Sequence, residues 1–350
     1  MNKFIDLYKR VRTRNYLKKS YSGKYAFVGI GNHSIHNLYP VLKYLNVPLK
    51  YIVSRTKETA DAVAQNLGGV TGTNDFDMVL SDKEISGVFI CANPTQHFAL
   101  TLKALQNNKN VFVEKPPCTN MEELEKLIEA QKKTGKTCLV GMQKRYSPAT
   151  AILKKNLKKD EMISYNYRYV TGSYPEGDEV LDMYIHPLDL IGYLFGDFNV
   201  LSVVNTNSDR KEKSGSVFLH LKHGNVVGNI EISTSYSWNC SEEILLVNMK
   251  SGVLKMENHE SVMFQKKQMN LFGIPLEKIS PNPVEIKHLY HRNNFTPVMS
   301  NNQLFTMGYY NELSTFINLA ENGKGSNLSA LEQLKLTFVL INEINKSYVH

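Results

Sequence analysis

The sequence predicts a two-part α/β chain: a doubly wound domain on a parallel sheet, then an α+β domain with one large, mostly antiparallel open sheet. Three observations predict it. The chain has 350 residues, too many for one ordinary core and enough for two domains of roughly 100–200 residues. From Lys24 to Pro148, short apolar runs alternate with amphipathic stretches, the pattern of a parallel sheet covered on both faces. Beyond Pro148, strand-like runs follow one another through Gly-containing turns such as "KHGN" and "KSGV", which indicates antiparallel pairing. The expected divisions are a helical extension over 1–22, the first domain over 23–148 and the second over 149–350.

Each element follows from local pattern. Residues 3–19 read as one helix, with Phe4, Leu7, Tyr8 and Val11 at helical spacing and Lys9, Arg10, Arg12 and Arg14 between them. This helix could lie on a membrane surface, but its apolar face is short and lacks tryptophan, so it is expected to pack on the domain that follows. "YAFVGI" is a strand, 34–45 a helix, "LKYIVS" a strand and "KETADAVAQNLG" a helix ending at glycine. "FDMVLSD" is a short helix, "GVFICA" a strand, "TQHFALTLKALQNNK" a helix and "NVFVEK" a strand. "MEELEKLIEAQKKTG" is a helix with acids in its first turn and Gly135 at its end, and "TCLVGM" is the next strand. A helix at 148–157 leads to "MISYNYRYVTG", and a second helix covers "DMYIHPLDLIGYLFG". The runs "VLSVVNT", "GSVFLHLKHG", "VVGNIEIST", "EEILLVNMKSG", "GVLKMEN", "SVMFQK" and "PVEIKHL" supply the second sheet. Two helices, at about 303–322 and 328–347, close the second domain. There is no internal repeat and no low-complexity linker.

Composition narrows the function classes. Apolar residues make up 42% and charged residues 21%, an ordinary globular balance. No stretch reaches about 18 uncharged apolar residues, so no membrane-spanning helix is expected, and the N-terminus lacks the apolar core of a signal peptide. Cys91, Cys118, Cys138 and Cys240 are widely spread with no C-x-x-C pair. That argues against a zinc site and a disulfide framework and fits a reducing cytoplasm. The histidines other than His186 form no ligand pattern with Cys or Glu, so no metal is expected. The net charge is +8, with a pI near 9.0. The lysines are scattered, which suits an anionic small molecule better than nucleic acid or a membrane.

"FVGIGNHS" places Gly29 and Gly31 directly after the first strand and before a helix. Gly29 permits the tight turn, Gly31 lets a pyrophosphate approach the backbone, and Ser34 stands where the third glycine of a Rossmann fingerprint usually falls. Asn32 and His33 complete this turn. About 20 residues on, NAD-binding domains carry an acid for the ribose hydroxyls. Here the second strand ends "IVSRTK", and Ser54 and Arg55 are suited to a 2′-phosphate instead. No acid precedes Glu58. The expected cofactor is NADP, with NAD as the alternative.

"VFVEKPPC" runs a buried-looking strand into Glu114, Lys115 and two prolines. Taken with "CANPTQHFALTLKALQNNKNVFVEKP", "VGMQKRYSPA" and "LDMYIHPLDLIGYLFG", it makes the chain resemble the Gfo/Idh/MocA oxidoreductase family over roughly residues 24–347. The resemblance implies a cis bond at Lys115–Pro116. It implies cofactor contacts from Glu114, from Asn93, Pro94 and His97, and from Gln143. It also implies an Asp-x-x-x-His-x-x-Asp helix carrying Asp182, His186 and Asp189. The substrate would be a sugar, polyol or nucleotide-sugar, and the assembly a homo-dimer or homo-tetramer built through the second-domain sheet.

The chemistry of these residues agrees with that reading. Lysine is a compact cation that can hold a hydroxyl and stabilise a developing alkoxide. Asp182 and His186, spaced i and i+4, share a helix face, and a carboxylate beside an imidazole raises its proton affinity. His186 can then exchange the hydroxyl proton as hydride leaves or joins the same carbon. Arg145, Arg168, Tyr169, Asp189, Trp238 and Asn239 are candidate substrate contacts. Two rivals are a dinucleotide-sensing regulator of the same fold and an NAD-dependent glycosidase.

Overall fold

The computed structural model describes residues 2–17, 21–173, 176–206, 214–279, 285–293 and 302–348. The chain forms two compact units. The first comprises Met1–Cys118, Glu125–Gly141 and Leu313–Asn327; the second comprises Thr119–Leu124, Met142–Glu312 and Leu328–His350.

The first unit opens with α1 (Asn2–Leu17), then β1 (Lys24–Val28), α2 (Tyr39–Tyr44), β2 (Leu49–Val53) and α3 (Lys57–Gln65). There follow β3 (Thr71–Thr73), α4 (Phe76–Ser81), β4 (Ile85–Ile90), α5 (Pro94–Gln106), β5 (Asn110–Glu114), α6 (Met121–Thr134) and β6 (Cys138–Gly141). The sheet order is β3-β2-β1-β4-β5-β6, with every pair parallel. This is the Rossmann order, and its ligand crevice lies at the carboxyl ends of the strands. The strands are short apolar runs because both faces are covered: Phe27, Val88, Phe89, Val111, Phe112 and Leu139 are fully buried. Local chemistry sets the helix starts. Thr56 caps α3, Asp75 caps α4 and Asn93 caps α5, each accepting from a backbone N–H two or three residues on. The strand β3 escaped the sequence reading. It has three residues at the sheet edge, too short for a period of two to show.

Two sequence expectations are corrected in this unit. Over Lys3–Thr13 the N-terminal helix does not pack on the domain that follows, since every side chain in that stretch is exposed. The closing helices do not belong wholly to the second unit. Phe316 enters the first core, against Tyr25, Phe89 and Phe112. Nearby, the Glu321 carboxylate accepts from Ser22 N and Gly23 N and from the Tyr25 hydroxyl. An aromatic cluster and a capped chain entry hold that segment.

The second unit contains α7 (Pro148–Asn156), β7 (Met162–Val170), α8 (Ile185–Phe195), β8 (Asn199–Asn205), β9 (Ser216–His223) and β10 (Val226–Ser233). It continues with β11 (Glu242–Met249), β12 (Gly252–Glu257), β13 (Ser261–Lys266), β14 (Asn270–Leu271), β15 (Ile274–Pro275) and α9 (Leu276–Ile279). Next come β16 (Ile286–His291), α10 (Gln303–Thr306), α11 (Tyr309–Asn322), which runs into the first unit, and α12 (Lys335–Ser347). The large sheet has the order β16-β13-β12-β11-β7-β10-β9-β8. The β7–β10 pair is parallel and the other pairs are antiparallel. Burial alternates strictly along β9 and β11, so one face is covered and the other is open. The covered face packs Tyr165, Leu219, Ile230, Leu245 and Leu254 beside Ile191 and Leu340 of the helices. Tyr165 stacks on Phe195 at the end of α8, with ring centroids 4.0 Å apart. Gly196, at φ 76, then ends that helix.

Candidate active site

At the end of β1, Gly29 has φ 98, and a Cβ there would lie 2.2 Å from the Cys91 carbonyl oxygen. No other residue fits this turn. Gly31 differs: a Cβ would meet nothing within 4 Å. The packing of the chain therefore does not require a glycine there, whereas a ligand approaching the backbone would. Ser34 is fully buried, and its hydroxyl accepts from Gly31 N–H and donates to Gly31 O, both at 2.9 Å. It braces the turn where a third glycine usually packs. The next five residues, Ser34–Leu38, are a π-helix rather than the expected α-helix. Such turns occur often at functional sites. Asn32 is exposed on the same turn.

His33 reaches across the end of β4 to the last residue of β5. Its Nε2 lies 3.2 Å from Glu114 Oε1, and Asn37 Nδ2 lies 3.1 Å from its Nδ1. Gly141 makes room for this carboxylate, since a Cβ there would sit 2.8 Å from Glu114 Oε2. Glu114 is 4% exposed, and its Oε2 accepts from Lys115 N at 3.2 Å. Burial pushes the Glu114 carboxyl up, but His33 and Lys115 outweigh it and hold it below its ordinary range. Burial would lower His33, but Glu114 outweighs that and raises it. Glu114, expected on the cofactor, thus faces inward as the partner of His33.

The Lys115–Pro116 bond is cis, and Lys115 is half-buried at the carboxyl edge of the sheet. His97, also expected on the cofactor, is 1% exposed. Its Nδ1 lies 2.8 Å from Pro116 O and its Nε2 3.0 Å from Ala92 O. Burial holds its pKa below the ordinary value. The neutral ring has one N–H and donates it to one of these two carbonyls; nearly fully buried, it presents no surface to a ligand. Asn93 is exposed, but its side-chain oxygen is engaged in capping: it accepts from Thr95 N and Thr95 Oγ1. Pro94 is the first helical residue.

At the end of β2, Ser54 N donates to Thr73 O. Arg55 is exposed and, among the described residues, makes no side-chain hydrogen bond or ion pair. Lys57 is held by Asp61 at 2.6 Å.

In the second unit, Asp182 lies in a π-helix, Val180–Tyr184, and His186 lies in the first turn of α8. The Asp182 Oδ2 accepts from Asp178 N at 2.9 Å, and both residues are half-buried. Gln143 is 7% exposed, and its Nε2 donates to the Tyr309 hydroxyl at 3.3 Å. Arg145 and Asp189, expected on the substrate, are instead partners of each other. Arg145 Nε and Nη2 donate to the two Asp189 oxygens at 2.7 and 2.6 Å, while Nη1 donates to Leu328 O and Gln333 Oε1. Their side chains are 1% and 3% exposed, so neither reaches a ligand.

Arg168 and Tyr169 do not share a space either, because successive strand residues point to opposite faces. Arg168 lies on the open face, held by Glu231 at 3.1 Å, by Glu242 and by the Tyr236 hydroxyl at 2.8 Å. Tyr169 lies on the covered side, with Lys144 Nζ 4.4 Å from its ring centroid. Trp238 is 52% exposed and lies so close over Gly172 that a Cβ there would stand 2.7 Å from the indole. Asn239 is exposed.

A buried polar cluster escaped the sequence reading. Lys144 Nζ lies 2.5 Å from Glu243 Oε2, and Glu243 Oε1 accepts from the Tyr167 hydroxyl at 2.5 Å and lies 3.0 Å from His259 Nε2. His259 Nδ1 reaches Ser147 Oγ at 2.9 Å. Burial opposes the charges, but Lys144 and His259 hold the Glu243 carboxyl far below its usual range. Among the described residues, no group of three or more His, Cys, Asp or Glu is arranged to hold a metal ion.

Comparison with known proteins finds likeness centred on the first unit. Residues 23–142 match the family model described as "Oxidoreductase family, NAD-binding Rossmann fold", GFO_IDH_MocA. Over that stretch the chain is similar to the Gfo/Idh/MocA oxidoreductases. It is 33% identical over 150 residues to the scyllo-inositol 2-dehydrogenase (NAD(+)) of Bacillus subtilis, covering 40% of this chain and 44% of that protein. The match therefore spans less than half of that curated relative. Both units share their fold with solved structures. A dehydrogenase from Chromobacterium violaceum superposes with TM-score 0.79 at 19% identity, over 94% of this chain and 96% of its own. A 3-ketoreductase from Actinomadura kijaniata, solved with TDP-benzene and NADP, gives TM-score 0.72 at 15% identity, over 93% and 97%.

Proposed function

We propose that the protein is an NADP-preferring oxidoreductase that interconverts a secondary alcohol and its ketone on a sugar, polyol or nucleotide-sugar. The observation that carries this reading is the carboxyl edge of the first sheet. There the open turn at Gly31 is linked through His33 to Glu114, and Lys115 follows at once. Gly29, Gly31, Asn32 and Ser34 would hold the pyrophosphate, and Ser54 and Arg55 the 2′-phosphate. The unpaired Arg55 supports NADP, because an arginine with no acid beside it favours the extra phosphate. When bound, the nicotinamide supplies or accepts the hydride. Lys115 donates a hydrogen bond to the substrate oxygen and stabilises its negative charge. His186, with Asp182 beside it in sequence, takes the hydroxyl proton in oxidation and returns it in reduction. The inositol chemistry named for the curated relative supports the substrate class.

A second copy is proposed to cover the open sheet face, where Phe218 and Val227 stand exposed beside Arg168 and Glu231. Light scattering at working concentration tests this, and a monomer refutes it.

The first experiment titrates the protein with NADPH and NADH by cofactor fluorescence, for wild type and Arg55→Ala. NADPH binding that weakens in the variant supports the selector, and equal NADH binding overturns it. A screen of keto-sugars with the preferred cofactor follows, with Lys115→Ala as control. Turnover by wild type that survives the substitution would remove Lys115 from the mechanism.

A further inference from the structure

We propose that α1 is a membrane-surface helix that lays its apolar stripe onto an anionic lipid bilayer. Phe4, Leu7, Tyr8 and Val11 recur at spacings of three and four and so share one stripe about 100° wide. The chain leaves that stripe uncovered: these side chains are 81%, 59%, 64% and 48% exposed. Among the described residues, none from Lys3 to Thr13 makes a side-chain hydrogen bond or ion pair. At 100° per residue, Lys3 and Arg10 border the stripe on one side and Arg12 on the other, while Lys9 lies further round. Asp6 is the one acid in this stretch.

Three occupants are conceivable, and the charge pattern separates them. A second copy of the helix would bring Lys3, Arg10 and Arg12 against the same cations, with one aspartate per copy to relieve them. Nucleic acid would neutralise the cations but leave the apolar stripe in water. An anionic bilayer satisfies both halves. The stripe enters the boundary between headgroups and acyl chains, and the long basic side chains reach outward to the phosphates. Binding should therefore need anionic lipid, and three bordering cations give a preference for anionic over neutral vesicles of roughly a hundredfold. This revises the expectation from composition that the chain has no membrane partner. It is independent of the proposed oxidoreductase activity.

The test sediments the full chain with vesicles of phosphatidylcholine alone or mixed with phosphatidylglycerol. Two variants accompany wild type: Leu7→Asn with Val11→Asn, and Lys3→Gln with Arg10→Gln and Arg12→Gln. Because these side chains are exposed and make no side-chain hydrogen bond or ion pair among the described residues, both variants should melt as wild type does, which keeps the comparison interpretable. The expected result is salt-sensitive sedimentation with the anionic vesicles alone, lost in both variants. No sedimentation, equal binding to neutral vesicles, or binding that survives either variant overturns the proposal. So does sedimentation velocity showing, without lipid, an oligomer that the asparagine variant dissolves, because the stripe would then cover itself. Binding to duplex DNA that outcompetes the vesicles overturns it too.

Discussion

Asp189→Asn separates a structural from a substrate role for the Asp-x-x-x-His-x-x-Asp helix. In the folded chain, the Asp189 carboxylate takes two hydrogen bonds from Arg145 and a third from the Thr337 hydroxyl at 3.2 Å. The asparagine can accept on one side only, and its amide would point a donor at a guanidinium that is 1% exposed. Removing one partner of a buried ion pair costs about 3–5 kcal/mol, because the other charge stays buried. In a unit of roughly 200 residues, each kcal/mol shifts Tm by about 2–4 °C. The variant should therefore melt about 6–20 °C lower and unfold earlier in urea, with NADPH affinity at low temperature unchanged. Arg145→Met should lose a similar amount. The double variant, Arg145→Met with Asp189→Leu, should recover most of it, since an apolar replacement leaves no stranded charge. If Asp189→Asn kept the wild-type Tm but raised KM for the substrate, the buried-pair reasoning would be refuted and the substrate assignment restored.

Other outcomes follow from the same geometry. Gly31→Ala should fold as wild type, since its Cβ meets nothing within 4 Å, yet weaken NADPH binding tenfold or more by fluorescence. Gly29→Ala should lower Tm as well as binding, because its Cβ strikes the Cys91 carbonyl at φ 98. The His33–Glu114 pair makes stability depend on pH in a set direction. His33 is raised above 6.5, so its contribution is full below that value and fades as pH climbs through the folded one. Glu114 is lowered below 4.5, so its contribution is full above that value and fades in acid. The Tm gap between wild type and His33→Asn should thus be widest between those two values and narrow on the alkaline side. A gap independent of pH would exclude the ion pair as its source. His97→Leu should lower Tm and turnover while leaving NADPH affinity near wild type, because the ring donates to the Pro116 or the Ala92 carbonyl and touches no ligand surface; a large loss of affinity would contradict that.

Signals confined to a short window were legible in the sequence. The alternation of apolar strands and amphipathic helices yielded the Rossmann unit, and the Gly-turn spacing after Pro148 yielded the second sheet. Three-residue β3 and the π-helical segments at Ser34–Leu38 and Val180–Tyr184 were not legible. A π-turn adds one residue to a hydrogen-bonded loop without changing which residue types suit it. Partners distant in the chain were also hidden. Arg145 and Asp189 are 44 positions apart, and Lys144 and Glu243 are 99 apart. A basic side chain in "GMQKRY" therefore looked like a ligand contact, when it is the buried half of an ion pair.

The misplacement of Arg168 beside Tyr169 has a different origin, because the signal that separates them lies in the sequence itself. The segment "SYNYRYV" alternates tyrosine with polar residues over strand β7. A period of two puts the tyrosines on one face and Asn166 and Arg168 on the other. The structure follows that period. Tyr165 and Tyr167 are 1% and 2% exposed under the helices, while Arg168 faces Glu231, directly opposite it on β10. An arginine held between two carboxylates on an open sheet face belongs to whatever covers that face. Arg168→Ala should therefore change self-association, read by light scattering, and leave cofactor binding untouched. Unchanged association together with weaker cofactor binding would return Arg168 to the ligand side.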